Sequence, residues 1–332
     1  MIVVYKPSTR DNGGDRPGLQ PHALQANEPF PQDAVWIDLI EPTREDDRRV
    51  ESHLGIEIPT REEMSDIEPS EIIYAEPNAR YMTARILCAS ESEAPKLANI
   101  TFILTDRVLV TVRYDEPRSF PMFATRSLRP GGCGPQPESV LDGLIETVID
   151  RAAEILANSG VGIDRLSRTV FERPDRPGPR GLHLRAVIRT LGRKGDVISN
   201  VRESMASVER VLLFLSASMA RPTKSGGFQA EWRTAIRDVQ SIEEHAAFLS
   251  NKIQFLLNAV LGLVSLEQND IIKLFSVMAV VLMPPTLIAS VYGRNFKLMP
   301  ELEWNYGYPM AIGLMIVAAV LPFLFFRWKR WL

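Results

Sequence analysis

Two long stretches without a formal charge near the C-terminal end constrain this chain more than any other feature of the sequence. Residues 274–292 form the first stretch, and residues 308–326 form a second stretch of the same length. As a helix, each is long enough to cross the ~30 Å hydrocarbon layer of a membrane. A buried hairpin in a large soluble core is the alternative, but two such stretches are rare in soluble domains. The sequence therefore predicts two transmembrane helices.

The charged residues at the ends of these stretches predict the orientation of the chain. Lys273 precedes the first stretch, and three basic residues follow the second within residues 327–330. The connecting loop carries Arg294 and Lys297 beside two glutamates. Because basic residues accumulate on the cytoplasmic side of a membrane, we expect both termini in the cytoplasm.

The rest of the sequence argues against several classes of function. A net charge of -3 gives no support to nucleic-acid binding. No glycine-rich phosphate loop with its lysine is present, so we expect no ATP and no other organic cofactor. Cys88 and Cys133 lack metal-ligand spacing and are expected to be free thiols. Enzyme activity is not expected, because the histidines are scattered without the spacing of a metal site or a catalytic triad. They are His22, His53, His183 and His245.

Residues 1–130 are predicted to form a cytoplasmic α/β domain. Prolines and glycines predict irregular structure in residues 1–35, and Trp36 lies in the first candidate strand. Thr43 is a candidate N-cap for a helix that Gly55 would end. The other predicted strands are 81–87, 98–104 and 108–114, with a hairpin turn at 105–107.

A helical region is predicted at residues 131–225, followed by one much longer helix. Prolines interrupt the first region, but nothing between Gly227 and Pro284 would stop a helix. A stalk helix, residues 226–273, should therefore continue into the first transmembrane helix. Its apolar residues alternate three and four positions apart, which is typical of a helix with parallel neighbours. They are Ile236, Val239, Ile242, Ala246, Leu249, Ile253, Leu256, Val260 and Leu263. The remaining predicted segments are a periplasmic loop (293–307), the second transmembrane helix (308–326) and a basic cytoplasmic tail (327–332).

A second pattern on the same helix points to function. Six residues spaced 7, 4, 7, 7 and 7 apart lie on one narrow face, and all but one are polar. A polar face would be unfavourable against lipid, so it should face neighbouring helices or water. The alternative is that its serines ease close helix packing. We call this face the polar stripe; its members are Asn258, Ser265, Asn269, Ser276, Met283 and Ser290.

The residues after the polar stripe resemble a known family. Residues 292–296 read Tyr-Gly-Arg-Asn-Phe and residues 299–302 read Met-Pro-Glu-Leu. They are similar to the Tyr-Gly-Met-Asn-Phe and Met-Pro-Glu-Leu pattern of the CorA magnesium transporters. The signature loop comprises Tyr292, Gly293, Arg294, Asn295, Phe296, Met299, Pro300 and Glu301. The resemblance extends upstream through Leu282 to Ser290 and Ser265 to Lys273, and into Trp36 to Leu39 and Pro59 to Tyr74, so it covers nearly the whole chain.

The resemblance implies an α+β membrane protein that assembles as a funnel-shaped homopentamer in the inner membrane of a bacterium. It implies that the stalk helix becomes the pore-lining first transmembrane helix, packed inside the second. The partners would be other copies of the chain, membrane lipid and divalent cations. The transported ion would be Mg²⁺, with cobalt and nickel as further candidates.

The resemblance also implies roles for individual residues. Asn295 and the carbonyl of Gly293 would form the outer ring that hydrogen-bonds the hydration shell of Mg²⁺. Thr286 and Asn269 would line the pore as further polar rings. Met283 would form an apolar constriction that gates by dewetting.

Two positions depart from the family pattern. Arg294 replaces the methionine of the loop, so five cations would surround the mouth of a cation pore unless the side chains turn outward. Asn258 stands where relatives commonly place an aspartate, which would weaken cation concentration at the inner mouth. A ZntB-like zinc transporter is a near alternative, since that branch also replaces the central methionine. A non-conducting metal sensor or scaffold is the alternative from another class.

Regulation by Mg²⁺ is the last implication of the resemblance. The family closes when Mg²⁺ binds acidic sites between cytoplasmic domains, and one acidic cluster of this chain could supply ligands. A solvated helix face is the other interpretation of this cluster. Its members are Glu62, Glu63, Asp66, Glu68 and Glu71.

Overall fold

A computed structural model describes residues 1–8, 18–26, 28–66, 68–89, 95–172, 180–218, 228–293 and 306–329 of this chain. A sheet with short helices comes first, three long helices follow, and a second apolar helix comes last. This order confirms the predicted α+β architecture with a long stalk helix and a second apolar helix, whereas the homopentamer stays a prediction. The residue boundaries of the predicted domains stay predictions.

Within the described residues, seven strands form one sheet in the order β2-β1-β3-β7-β6-β5-β4. Neighbouring strands are antiparallel except for β3 and β7, which are parallel. The predicted hairpin at residues 105–107 joins β6 to β7. The strands are β1 (Ile2–Pro7), β2 (Leu19–Ala23), β3 (Trp36–Ile40), β4 (Ile73–Ala75), β5 (Ala79–Cys88), β6 (Lys96–Thr105) and β7 (Leu109–Arg113).

The prediction of irregular structure for residues 1–35 is wrong, because β1 and β2 pair as an antiparallel hairpin. Prolines explain the error. Pro7 is the last residue of β1, and Pro21 lies in β2, the strand at the edge of the sheet. An edge strand tolerates proline because its outward N–H groups need no partner within the sheet.

Helix α1 (Arg44–Leu54) begins and ends where the sequence predicts. The Thr43 hydroxyl accepts the backbone N–H of Asp46 at 3.3 Å, and the Asp46 carboxylate accepts that of Thr43 at 3.1 Å. Gly55 then ends the helix with φ +67°, a conformation that favours glycine.

A second capping box forms at Thr60 and Glu63. The Glu63 carboxylate accepts the backbone N–H of Thr60 at 2.8 Å, and the Thr60 hydroxyl accepts that of Glu63 at 3.3 Å. It supports only a short 3-10 turn, Glu63–Ser65, and the four-residue helix α2 (Pro69–Ile72) follows.

A buried ion pair joins the two parallel strands at the centre of the sheet. Asp38 of β3 and Arg113 of β7 are 2% and 4% exposed, and Nη2 of Arg113 donates to Oδ2 of Asp38 at 3.0 Å. The Thr111 hydroxyl donates to Oδ1 of Asp38 at 2.7 Å and accepts Nε1–H of Trp36 at 2.9 Å. The ring of Tyr5 stacks on Trp36 with 4.0 Å between centroids. These contacts connect β3 to β7 through buried polar groups and β1 to β3 through stacked rings.

Two contacts join the helical region to the N-terminal domain. Helix α3 (Ser119–Ser127), which the sequence did not predict, packs on α4 (Pro137–Phe171). A Cβ at Gly143 of α4 would lie 2.5 Å from the ring of Phe123, so glycine permits the close approach. On α5 (Arg180–Ser218), the Ser207 hydroxyl accepts the backbone N–H of Arg85 in β5 at 2.9 Å.

Helix α6 (Phe228–Tyr292) contains 65 residues without interruption, which confirms the predicted stalk that continues into the first apolar stretch. Most of the predicted apolar positions are buried as far as Val260. Beyond that point large apolar side chains are exposed; Phe275, for example, is 66% exposed. Helices α6 and α7 (Gly307–Trp328) are both long and apolar enough to cross a membrane.

The chain divides into two compact units. One comprises Met1–Gly178 and Arg185–Leu256, and therefore contains the sheet and the first part of α6. The other comprises Pro179–Leu184 and Leu257–Leu332, and contains the polar stripe and α7. Apolar exposure is concentrated in the second unit, as expected for a part of the chain that lies in lipid.

We predict that Arg113→Met destabilises the chain by about 3–5 kcal/mol, because it leaves the carboxylate of Asp38 buried and unpaired. The measurement is denaturant unfolding of the purified full chain in detergent, followed by tryptophan fluorescence. Arg85→Met is the matched control, since Arg85 and its partner Glu203 are 50% and 45% exposed. An exposed pair contributes about 0–1 kcal/mol. Equal stability of the two variants would refute a structural role for the buried pair.

Candidate functional site

The polar stripe lies along the part of α6 that belongs to the second unit. All six of its residues are exposed in the single chain, as is Thr286. Met283 is 67% exposed. At 100° per residue, the step of four residues from Ser265 to Asn269 and the steps of seven keep these side chains on one side of the helix. The single chain therefore offers them to another helix or to water, and does not cover them itself.

One hydroxyl of the polar stripe and the hydroxyl of Thr286 bond to the helix backbone. The hydroxyl of Ser265 donates to the carbonyl of Leu261 at 3.0 Å. The hydroxyl of Thr286 lies 2.8 Å from the carbonyls of both Leu282 and Met283. Since each hydroxyl hydrogen is used within the helix, the oxygen lone pairs remain free to accept hydrogen bonds from water. Such an oxygen suits the hydration shell of a cation.

The prolines beside Thr286 weaken the helix backbone without ending it. Pro284 and Pro285 lack N–H groups, so they cannot donate to the carbonyls four residues earlier. The Thr286 hydroxyl bonds to carbonyls of the same turn, and α6 continues to Tyr292. The carbonyls that the prolines leave without a helix donor are those of Val280 and Val281, and within membranes neighbouring helices commonly satisfy such groups.

The described part of the chain includes only the start of the signature loop. The N–H of Gly293 donates to the carbonyl of Ala289 at 2.8 Å. A Cβ at Gly293 would lie 2.8 Å from that same oxygen, so a larger residue would have to shift the backbone. The other loop residues outside α6 lie beyond the described residues, and their predicted roles stay predictions. They are Arg294, Asn295, Phe296, Met299, Pro300 and Glu301.

The predicted regulatory cluster is only partly brought together. Glu63, Asp66 and Glu71 line a cavity of about 180 Å³ together with Glu57. The Glu63 carboxylate is engaged in its capping box, and Oδ1 of Asp66 accepts the N–H of Glu68 at 3.1 Å. In the described ranges, no three His, Cys, Asp or Glu side chains are placed to hold a metal ion together. A regulatory role for the cluster, including Glu62, stays a prediction.

Aromatic side chains form one wall of this cavity. The rings of Tyr74 and Tyr81 stack with 4.6 Å between centroids, and the Tyr81 hydroxyl accepts the N–H of Glu57 at 3.2 Å. Burial raises the pKa of Tyr74, and the carboxylates of Glu76 and Glu63 raise it further. The cavity is therefore negative in character, with both tyrosines neutral at physiological pH.

A second group of carboxylates, which the sequence analysis missed, lies between α4 and the start of α6. Two adjoining clefts of about 510 and 460 Å³ share the side chains of Asp142, Glu146 and Glu231. Arg126 of α3 pairs with Glu146 at 2.7 Å. The acids of α4 recur every four residues, and this spacing could have indicated an acidic face of that helix. The carboxylates of α6 that lie opposite them are distant in sequence. We call this the acidic cleft; its carboxylates are Asp142, Glu146, Asp150, Glu231 and Asp238.

The acidic cleft changes the proton affinity of its most enclosed member. Burial raises the pKa of Asp142 to about 6, the carboxylates of Glu231 and Glu146 add to the rise, and Arg126 opposes it. Burial also raises the pKa of Asp150, with contributions from Glu146 and Asp238. At neutral pH the cleft therefore holds like charges close together, which destabilises this junction of α4 and α6.

Comparison with known proteins shows which family and which proteins this chain is similar to. A family model described as CorA-like Mg2+ transporter protein matches residues 31–330. Proteins named magnesium transport protein CorA from Haemophilus influenzae, Salmonella typhimurium and Escherichia coli K12 are each 35% identical to this chain. Each alignment covers 90% of this chain and 92% of the relative.

Solved structures share the fold. The complete CorA magnesium transporter from Methanocaldococcus jannaschii matches with a TM-score of 0.73 and 16% identity, covering 100% of this chain and 99% of that one. Full-length CmaX matches with a TM-score of 0.62 and 15% identity, covering 91% and 90%. The cytoplasmic domain of ZntB from Vibrio parahaemolyticus matches with a TM-score of 0.56 and 11% identity, covering 78% and 96%. At these identities the likeness concerns the fold alone.

We predict that Asp142→Asn stabilises the chain at pH 7.5 by on the order of 1–2 kcal/mol, since one raised pKa unit corresponds to about 1.4 kcal/mol before screening. An aspartate with a raised pKa favours folding below its ordinary pKa, and that stability is lost as pH rises through about 6. The gain should therefore shrink towards zero near pH 4. The free energy of unfolding, measured at pH 4.5 and pH 7.5, checks this.

Asp106→Asn in the exposed β6–β7 turn is the control for the loss of a charge, and it should change the free energy of unfolding little at either pH. A stabilisation by Asp142→Asn that is equal at both pH values would contradict the role assigned to like-charge repulsion and burial.

Proposed function

Because this chain belongs to the CorA-like Mg2+ transporter family, we propose that it carries Mg²⁺ across the cytoplasmic membrane of a bacterium. The observation that supports this most directly is the polar stripe, an exposed line of amides and hydroxyls on an unbroken helix that continues through an apolar stretch. Such a line is unfavourable against lipid and favourable around a water-filled path.

We propose that the path is formed by a symmetric homopentamer with the polar stripe towards its axis. Exposed aromatic residues on the stalk part of α6 support self-association. Phe248 and Phe255 are 58% and 61% exposed in the single chain, although they lie on a helix whose other apolar side is buried. Large exposed apolar surfaces of this kind are typical of interaction surfaces. The termini would lie in the cytoplasm, and α7 would contact α6 and lipid.

The chemistry of the stripe suits a hydrated divalent ion. Mg²⁺ holds its six waters tightly, so a pore is better served by oxygens that accept hydrogen bonds from those waters than by a cage that strips them. Amides such as Asn269 and hydroxyls such as Ser276 provide such oxygens without a full charge that would trap the ion. The exposed side chain of Met283 would supply an apolar constriction between polar rings.

The driving force for entry would be the membrane potential. A divalent ion gains ~4.6 kcal/mol for each 100 mV of potential that it crosses. Transport would therefore need no nucleotide and no organic cofactor, and the protein would not act as an enzyme. Cobalt and nickel are divalent ions that the same rings could accept. The acidic residues Glu62, Glu63, Asp66, Glu68 and Glu71 are proposed only as regulatory ligands.

At the outer mouth, we propose that Asn295 and the Gly293 carbonyl form the first ring that the hydrated ion meets. Arg294 lies between them in the sequence. Five arginines on the axis would repel a divalent cation, whereas arginines turned towards lipid headgroups or Glu301 would not. We propose the outward orientation, because it leaves the Asn295 ring accessible.

Magnesium entry into proteoliposomes tests the proposal. Purified full chain and Arg294→Met should both give uptake, measured with a fluorescent indicator at an inside-negative potential, with initial rates within about threefold of each other because the outward side chain is screened from the axis. Asn295→Ala should lower the rate by about tenfold or more, since it removes one ring of oxygens.

Three outcomes separate the proposal from its alternatives. Uptake by Arg294→Met alone would mean that Arg294 faces the axis and restrains the natural chain. Uptake of zinc that excess Mg²⁺ fails to inhibit would favour a zinc transporter. No uptake of any divalent ion by either protein, with intact oligomers in the liposomes, would favour a sensor or scaffold.

A further inference from the structure

Three charged residues lie on α6 between Leu257 and Gly293, close to where the helix becomes continuously apolar. They are Glu267, Asp270 and Lys273, and Lys273 is the one cation among them. Nζ of Lys273 donates to Oδ1 of Asp270 at 3.1 Å. This contact is an ion pair between residues three apart on the same helix, with side chains 40% and 74% exposed. For stability alone such an exposed pair is worth little.

The position of Lys273 around the helix gives the pair a different significance. At 100° per residue, Lys273 lies about 40° around the helix from Asn269 and about 60° from Ser276. It therefore stands at the border of the polar stripe. Along the helix axis it lies between these two members of the stripe. A long lysine side chain at the border can swing over the stripe or away from it.

Asp270 lies on the far side of Lys273 from the stripe. It is about 100° from Asn269 in the same direction as Lys273, so a bond to Asp270 draws the ammonium group away from the stripe. Glu267 is about 160° from Asn269, close to the opposite side of the helix. Asp270 is thus the acid placed to hold Lys273 off the stripe.

We propose that Asp270 is a positioning residue that keeps the Lys273 ammonium off the ion path, and that this pair sets the rate at which divalent cations pass the inner end of the pore. The inference rests on the proposed function, because it requires that the stripe face the path. In an assembly of several copies, each Lys273 would contribute one cation to a ring around the path. A doubly charged ion feels such a ring twice as strongly as a singly charged one.

Mg²⁺ entry into proteoliposomes of the full chain at a fixed potential tests the inference. Asp270→Asn removes the acid and frees the ammonium, so the initial rate should fall by about fivefold or more. Asp270→Glu retains a carboxylate that reaches a lysine three residues on, and it should keep a rate near that of the natural chain. The double variant Asp270→Asn with Lys273→Gln should restore the rate, because no cation remains to be held away.

Glu267→Gln is the matched control, since it removes an acid from the neighbouring turn of the same helix on the side opposite the stripe. It should leave the rate unchanged. A natural chain that conducts while Asp270→Asn conducts equally well would overturn the inference and leave the proposed function standing. A slow Asp270→Asn variant that Lys273→Gln fails to restore would also overturn it, because the loss would then come from distortion of α6. If the natural chain takes up no Mg²⁺, the result contradicts both this inference and the proposed function.

Discussion

A helix that enters lipid has to satisfy its own backbone hydrogen bonds, and α6 continues as one helix from Phe228 to Tyr292 although Pro284 and Pro285 each lack a backbone N–H. The same helix serves two environments. The first part of the helix buries apolar residues such as Val239 and Leu249 against the helical region, and the later part exposes most of its large apolar residues. α6 has no loop at the point where its surroundings change from protein to lipid. The side chains alone therefore decide where the protein ends and the membrane begins.

The two units deal with polar groups in opposite ways. In the sheet, the carboxylate of Asp38 is almost fully buried; Arg113 neutralises its charge, and the Thr111 hydroxyl donates a further hydrogen bond to it. Along the stripe, uncharged amides and hydroxyls remain exposed with unused lone pairs. A fully satisfied buried network favours one arrangement of the strands. A line of partly satisfied oxygens favours brief, exchangeable contacts with water. The first property suits a rigid scaffold, and the second suits a path for a hydrated ion.

The parts of this structure that depend on local patterns could be predicted from the sequence. The length of α6, the apolar helix α7 and the caps at Thr43 and Gly55 all follow from neighbouring residues. Features that depend on pairing between distant residues could not. The hairpin of β1 and β2 was hidden by prolines that an edge strand tolerates, and the acidic cleft requires α4 to lie beside the start of α6. The spacing of the polar stripe was visible in the sequence, but what the stripe faces is determined only when several copies assemble.

The stripe is not straight, and its drift has a geometric consequence. Three successive steps of seven residues lead from Asn269 to Ser290, and each falls about 20° short of two whole turns, so the line winds about 60° around the helix. Straight helices standing side by side could not point both ends of this line at one axis. Either the helices coil around one another, or each orientation of a helix presents only part of the line. Rotation of each α6 about its long axis would then exchange one set of side chains for another along the path. The length of the path would not change.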